Sequence, residues 1–247
     1  MDKARLTVII PSKGLEDLLT ECLAALSVAL STIADRVDAH VLLFDNGSEQ
    51  PYRHEQLPEV NEIIRFDQGR SFSEVCNAGA RARPSDLLLL LNNDVFLHPD
   101  ALVEMLDLIQ LVSVGVVGTR LLFADRTIQH AGIVMTRHRP HHDFRLQRTE
   151  TVSRAPRFCP AVSGAVMMIR SDLYRRLGGL LEDYNFGYED IDFCLRVRQA
   201  GFRIACAQKV DSIHLESQTP ERIVLDRTAR MLFKEQWDDR YSVDLLL

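Results

Sequence analysis

With 247 residues and 46% hydrophobic side chains, the chain has enough length for one large α/β domain and enough apolar material for a sizeable core. A formal net charge of −6 excludes a general nucleic-acid binder, whose footprint is a basic patch. The five cysteines (Cys22, Cys76, Cys159, Cys194 and Cys206) are odd in number and scattered, with no CxxC, so they read as reduced, mostly buried thiols of a cytoplasmic protein.

Lys3 and Arg5 precede only Leu6–Ile10 before Pro11, too short an apolar region for a signal peptide, and no transmembrane segment is expected. Leu6–Ile10 reads as a β-branched strand stopped by Pro11-Ser12-Lys13-Gly14. From Leu15 the period changes, and Leu15, Leu19, Cys22, Leu26, Ala29 and Ile33 fall on one face of a helix. His40–Phe44 is a second strand ending in Asp45-Asn46-Gly47-Ser48, and Glu62–Phe66 a third ending near Asp67. Phe72–Arg83 reads as a helix, after which Pro84-Ser85 lead into the leucine run Leu87–Leu91. A short continuous apolar run of this kind suits a strand buried on both faces of a parallel sheet. It ends in Asn92-Asn93-Asp94, a turn-forming cluster whose carboxylate would also suit a hard divalent cation.

The first, second and fourth strands thus each end in a polar cluster, and ligands of open α/β sheets sit beyond the carboxyl ends of the strands. A Rossmann dehydrogenase would carry GxGxxG after the first strand, and PSKGLED is not that. Further on, Asp100–Val112 is an amphipathic helix, and Val114–Phe123 and Thr127–Met135 are strands flanking an Ala-Asp-Arg turn. Arg137–Glu150 is polar and His-rich, a loop over or beside the site in which His138, His141 and His142 face solvent or an acceptor. Ser163–Arg170 is a strand, and Ser171 is the expected N-cap of a short helix closed by Gly178-Gly179.

After Tyr184–Gly187 comes a helix from about Glu189 to Ala200 with Gly201 as its stop, then a strand over Phe202–Ala207. Ser212–Ser217 holds His214, and Pro220–Trp237 forms a final helix with Trp237 as a core anchor. Repeats and low-complexity linkers are missing, so residues 1–247 read as a single domain. Alternating strands and helices specify a doubly wound sheet. Glu189-Asp190-Ile191-Asp192 packs three carboxylates into four residues at a helix start, where the dipole favours acids and where one carboxylate raises the pKa of another.

The order VIIPSKG, FDNGS, SFSEVCNAGA, LLLLNNDV, GYEDIDFCLRVRQAGFRI and HLES resembles the family 2 glycosyltransferases of GT-A fold, over about Leu6 to Ser217. IQHAGIV and SGAVMMIR resemble the bacterial, rhamnosyltransferase-like branch that builds O-antigens, capsules and related glycans. The resemblance implies a single Rossmann-like, mixed and mostly parallel sheet flanked by helices, with a nucleotide-binding half over 1–112 and an acceptor and catalytic half, including the C-terminal helix, over 113–247. It implies an inverting, metal-dependent enzyme that moves a sugar from a UDP-, dTDP- or GDP-sugar to a hydroxyl of a glycan, lipid-linked or protein acceptor. The expected place is the cytoplasm, with peripheral association at the inner face of the membrane.

The same resemblance assigns roles. Asp45 would contact the base or ribose, Pro11 and Ser12 would line that pocket, and Asp67 would lie nearby. The family's Asp-x-Asp stands here as Asn92-Asn93-Asp94, so Asn92 and Asn93 are grouped with the donor-binding residues and Asp94 is the metal ligand. His214 would be the second ligand, and its imidazole favours Mn²⁺ over Mg²⁺. Asp190 would take the acceptor proton, with Glu189 and Asp192 beside it. Asn77 would tie the donor loops together, Gly79 would allow close packing, and Gly164 and Ala165 would keep the acceptor channel open. Gln129-His130 matches the branch without an assigned role. Two other classes are a sugar-nucleotide-binding module that has lost transfer, favoured by the missing first Asp, and a nucleotidyltransferase, for which PSKGLED is a poor triphosphate loop.

Overall fold

The computed structural model describes residues 3–136, 139–184, 187–216 and 222–237. His138, Ser217, Pro220 and the Asn185-Phe186 part of the Tyr184–Gly187 stretch lie outside them. In chain order the elements are β1 (Ala4–Ser12), α1 (Glu16–Ser31), β2 (Val37–Asn46), β3 (Glu62–Phe66), α2 (Phe72–Ala82), β4 (Leu87–Leu91), β5 (Val95–Phe96) and α3 (Ala101–Ile109). Then follow β6 (Val114–Leu122), β7 (Ile128–His130), β8 (Ile133–Met135), β9 (Pro140–His142), β10 (Arg157–Cys159), β11 (Val166–Arg170), α4 (Ser171–Arg176), α5 (Glu189–Gln199), β12 (Arg203–His214) and α6 (Arg222–Trp237).

The main sheet runs β10-β12-β6-β11-β4-β1-β2-β3, with β5 added to β12 and β7 to β6. β3, β2, β1 and β4 are mutually parallel, β11 is antiparallel to both β4 and β6, and β12 is parallel to β6. The carboxyl ends of β1, β2, β4, β6 and β12 therefore share one edge, and the start of β11 joins them there.

Strand alternation divides the core into two layers. Leu6, Val8 and Ile10 of β1 and Leu87, Leu89 and Leu91 of β4 pack with α1 and α3. Ile9, Leu88 and Leu90 face the other way, onto α2, α4 and α5. The whole of β4 is buried, as an apolar run between two helical layers requires. Gly79 brings α2 against β1, since a Cβ there would meet Ile9 at 2.8 Å.

Several elements differ from the sequence reading. β1 continues through Pro11 to Ser12, because β4 pairs with β1 only as far as Ile9↔Leu90 and nothing on that side requires an N–H from Pro11. The strand read over Thr127–Met135 breaks at Gly132, whose φ of +103° turns the chain between β7 and β8. The polar stretch 137–150 contains β9, hydrogen-bonded to β8. Ser171 is the first residue of α4 rather than its cap; Arg170 occupies the cap position, and the Ser171 hydroxyl faces that of Ser85 at 3.3 Å. The strand read over Phe202–Ala207 runs on to His214, because β6 and then β5 supply partners. All five cysteines are buried free thiols, and no helix among the described residues is long and apolar enough to cross a membrane.

Asn77 shows how α2 is tied down. Its carbonyl accepts from Tyr174 OH (2.7 Å) and Leu180 N–H (3.0 Å), while its amide donates to Leu180 C=O and Glu182 Oε1, both at 2.9 Å. These bonds fasten α2 to the turn that leads toward α5. Asn77→Ala is expected to lower the urea midpoint with the m-value unchanged, because each buried group left unpaired costs about 1–3 kcal/mol.

Candidate functional site

The site is built on the shared sheet edge by hydrogen bonds between strand ends. Asn93 Nδ2 donates to Ser12 Oγ at 2.8 Å, joining the end of β4 to that of β1. Ser12 Oγ in turn lies 2.8 Å from Tyr52 OH, and Gly14 N–H donates to Ser48 Oγ at 3.0 Å. Asn92 N–H donates to Ala165 C=O at 2.9 Å, which fixes β4 to the start of β11. Pro11 precedes Ser12 in the same strand and is partly buried, as are Asn92 and Asn93. Asp67 lies exposed just past β3.

Asp45, at the end of β2, is buried at 1% exposure. Oδ1 accepts from Ser48 N–H at 3.0 Å, and Oδ2 accepts from Tyr52 N–H at 3.4 Å and from the Arg65 guanidinium. These bonds close an Asx-type turn at Gly47, whose φ is +80°. Although burial opposes ionisation, the bonds from Ser48, Arg65 and Tyr52 outweigh it and hold the carboxyl below its usual value.

Asp94 and His214 meet because of register. β5 follows Asp94 directly and pairs antiparallel with β12, placing His214 opposite Val95, and Leu215 N–H donates to Asp94 C=O at 3.2 Å. His214 Nε2 then lies 3.2 Å from Asp94 Oδ1, with both residues below 10% exposure. The other ring nitrogen, Nδ1, is 2.7 Å from Gln129 Oε1. Gln129 Nε2 donates to His214 C=O (3.1 Å) and Glu216 Oε2 (3.4 Å), two acceptors that fix which end of the amide faces the ring. A proton on Nδ1 therefore donates to Gln129 Oε1, and Nε2 faces a carboxylate oxygen. Such a contact is favourable when Nε2 is itself protonated, as in an imidazolium, or when a cation lies between or beside the two atoms.

A carboxylate and an imidazole would fit Mn²⁺, which accepts mixed O and N donors, better than Mg²⁺. Among the described residues no group of three or more His, Cys, Asp or Glu is arranged to hold a metal, so a cation held by Asp94 and His214 would need other ligands to complete its shell.

The carboxylates at the start of α5 point in different directions. Asp190 Oδ2 accepts from Gly164 N–H and Oδ1 from Ile191 N–H, both at 2.8 Å. Gly164 precedes Ala165, so Asp190 is held by the same turn that β4 grips. Any side chain at position 164 would press on Asp190, because a Cβ there would lie 3.2 Å from Asp190 Cβ. Burial raises the Asp190 carboxyl above its usual value, against the lowering effect of the two N–H donors. Asp192 is fully buried and turned away, its oxygens taken by Arg196 Nε (2.7 Å), Trp237 Nε1 (2.9 Å) and Gln236 Nε2 (3.0 Å). Those bonds dock α6, whose Trp237 packs with Phe233, Ala229 and Tyr184.

Glu189 is 8% exposed, and its Oε2 has no hydrogen-bond partner. Burial, and secondarily the charge of Asp190, push its carboxyl far above the usual range. The folded-state pKa thus exceeds the unfolded one, so the associated stability is complete below the ordinary carboxylate value and declines as pH rises toward the raised one. Glu189→Gln is expected to flatten this decline, leaving a variant more stable than the parent on the alkaline side, as read by thermal unfolding across pH.

On the far side of Gln129, His130 is buried, accepts from Ser163 N–H at Nε2 (3.3 Å), and meets His142 Nδ1 at 2.9 Å through Nδ1. His141 is exposed on β9. Gln129 and His130 thus touch both halves of the site. Sequence reasoning gave them no role, and the available signal was their adjacency on a short strand ahead of a glycine turn.

The family model described as glycosyltransferase like family 2 matches residues 4–233. The chain belongs to glycosyltransferase family 2. Among curated relatives of this family 2 chain, the O-antigen biosynthesis protein RfbC of Myxococcus xanthus is 30% identical over 86% of the chain and 17% of its own length. The low-salt glycan biosynthesis hexosyltransferase Agl10 of Haloferax volcanii is 25% identical over 71% of the chain and 59% of its own length. The chain thus spans less than two thirds of each of these relatives, and under a fifth of the first. GalNAc-T7, solved with UDP, GalNAc and Mn²⁺, superposes with a TM-score of 0.68 at 13% identity, covering 96% of this chain and 49% of that one. The mannosyltransferase PcManGT of Pyrobaculum calidifontis, solved with GDP-Man and Mn²⁺, gives 0.62 at 16% identity, with 96% and 72% coverage. These likenesses establish the GT-A fold of the family 2 chain, a mixed and mostly parallel sheet flanked by helices.

Proposed function

We propose that the chain is the catalytic domain of an inverting, metal-dependent hexosyl- or deoxyhexosyltransferase. In this reading it uses a nucleotide-diphosphate sugar to extend a cell-surface glycan. The observation that carries it is the meeting of Asp94 and His214 at the sheet edge, with Asp190 held on a turn bonded to the same strand end. Asp94 and His214 would hold a divalent cation, which when bound supplies charge neutralisation to the leaving diphosphate.

Asp190 acts as general base. Two of its lone-pair positions are taken by backbone N–H groups, and the others can accept an acceptor hydroxyl. The hydroxyl oxygen forms its bond to the anomeric carbon as the bond to the diphosphate breaks. The proton passes to Asp190, and nucleoside diphosphate leaves. A single displacement of this kind inverts the anomeric centre. Raising the Asp190 carboxyl by burial brings the base closer to working pH.

Ser12, Pro11, Asn92 and Asn93 would line the nucleoside and its diphosphate, with Asp67 nearby. Asp45 shapes that pocket through Ser48 and Tyr52. Resemblance to proteins named for O-antigen and glycan biosynthesis favours a lipid-linked or glycan acceptor at the cytoplasmic face of a membrane.

The test is incubation with UDP-, dTDP- and GDP-sugars, with Mn²⁺ and with EDTA, reading the phosphate products. Metal-dependent release of nucleoside diphosphate is expected. Release of pyrophosphate from a nucleoside triphosphate and a sugar phosphate would assign a nucleotidyltransferase instead. Donor binding without any turnover would assign a binding module.

A further inference from the structure

We infer that Gln129 is a positioning residue of the transfer site, which selects the His214 tautomer and thereby the affinity of the Asp94–His214 pair for a divalent cation. This rests on the proposed metal reading, but its first consequence concerns the metal-free protein.

Between Leu121↔His130 and Leu122↔Ile128 the register of β6 and β7 slips by one residue, leaving Gln129 without a ladder partner. Bulges of this kind re-aim a side chain. Here the amide, on a residue only 3% exposed, reaches the last residue of β12. Its orientation follows from its own bonds. Nε2 has two oxygens to serve, the carbonyl of His214 and the carboxylate of Glu216, and Oε1 is left for Nδ1. A leucine in its place would remove the acceptor, and the imidazole proton could then move to Nε2, where it would bond Asp94 Oδ1 and occupy the position a cation needs. Ligands oriented by such outer partners typically lose about 10–100-fold in metal affinity when the partner is removed.

Glu216 is bonded to Arg145 of the chain after β9 as well as to Gln129. The amide therefore sits between the metal ligand and the polar segment beside the site. A change at this position need not disturb Asp190, whose donors are Gly164 and Ile191.

The experiment uses ¹⁵N-histidine labelling of the metal-free chain under mildly alkaline conditions, where an ordinary imidazole is neutral, with His214→Gln to identify the signal. Wild type should show His214 protonated at Nδ1. Gln129→Leu should shift the proton toward Nε2. Mn²⁺ titration followed by electron paramagnetic resonance in the presence of UDP should then show binding weakened about 10–100-fold in Gln129→Leu. Wild-type His214 protonated at Nε2 would overturn the inference before any variant is made. So would a leucine variant with the wild-type tautomer and the wild-type Mn²⁺ affinity. If wild type binds no Mn²⁺ while the tautomer responds as stated, the metal reading fails and the tautomer assignment to Gln129 stands.

Discussion

Asp190→Asn is expected to lower the rate of sugar transfer by about 10²–10⁴-fold, the usual contribution of a general base, while leaving donor binding intact. The substitution preserves shape. An asparagine carbonyl can still accept one of the two backbone N–H bonds, from Gly164 or Ile191, that now hold the carboxylate at 2.8 Å. It also removes a half-buried negative charge that Glu189 feels, so fold stability should change little. The comparison that decides is kcat against the thermal shift produced by nucleoside diphosphate with Mn²⁺. A normal shift with a collapsed kcat supports the base. Loss of both in proportion would make Asp190 a scaffold for the Gly164 turn and remove it from the chemistry.

The pH dependence carries a second readout. A base acts only when ionised, so the rate of the parent enzyme should fall as pH drops through the Asp190 pKa. Burial has moved that pKa upward from the ordinary carboxylate value. An Asp190→Asn variant should lack this acid limb.

Much of this arrangement was legible in the sequence. β3 and β4 occur over the residues read for them, because a short apolar or β-branched run between turn-forming residues has few other uses. The turn clusters after β1, β2 and β4 sit on one edge because parallel strands share a direction, which alternation of strands and helices already specified. The unread elements are β5, β9 and β10, two or three residues each, too short to display a period. They exist because a long-range partner is present, and β5 matters most, since its pairing with β12 is what seats His214 beside Asp94.

The divergence of Asp190 and Asp192 is a matter of helical phase. Two residues apart on a helix face about 200° apart, so one can meet Gly164 while the other docks α6. Gln129 is the hardest case. Its direction depends on a one-residue slip between β6 and β7, and no local propensity records a slip of that kind.

The second large effect concerns Asp94, and there stability and function should move in opposite directions. With Gln129 holding the Nδ1 proton as inferred above, the Nε2 lone pair of a neutral His214 would face Asp94 Oδ1 across 3.2 Å in the metal-free protein. Neither atom could then donate, and both lie in buried residues. Asp94→Asn replaces this opposition with a possible amide N–H to Nε2 bond, so the metal-free variant should unfold at a temperature equal to or above that of the parent. The same substitution removes the charged ligand. Mn²⁺-dependent transfer should therefore fall by at least about 10²-fold, since neutralising a leaving diphosphate is worth several kcal/mol in the transition state and each 1.4 kcal/mol is a factor of ten. His214→Ala should lose transfer comparably without the gain in stability, because it empties a packed position and leaves the Gln129 acceptor without its donor. A purely architectural Asp94 would behave otherwise. Asp94→Asn would then melt earlier, and residual transfer would be indifferent to Mn²⁺ and EDTA alike.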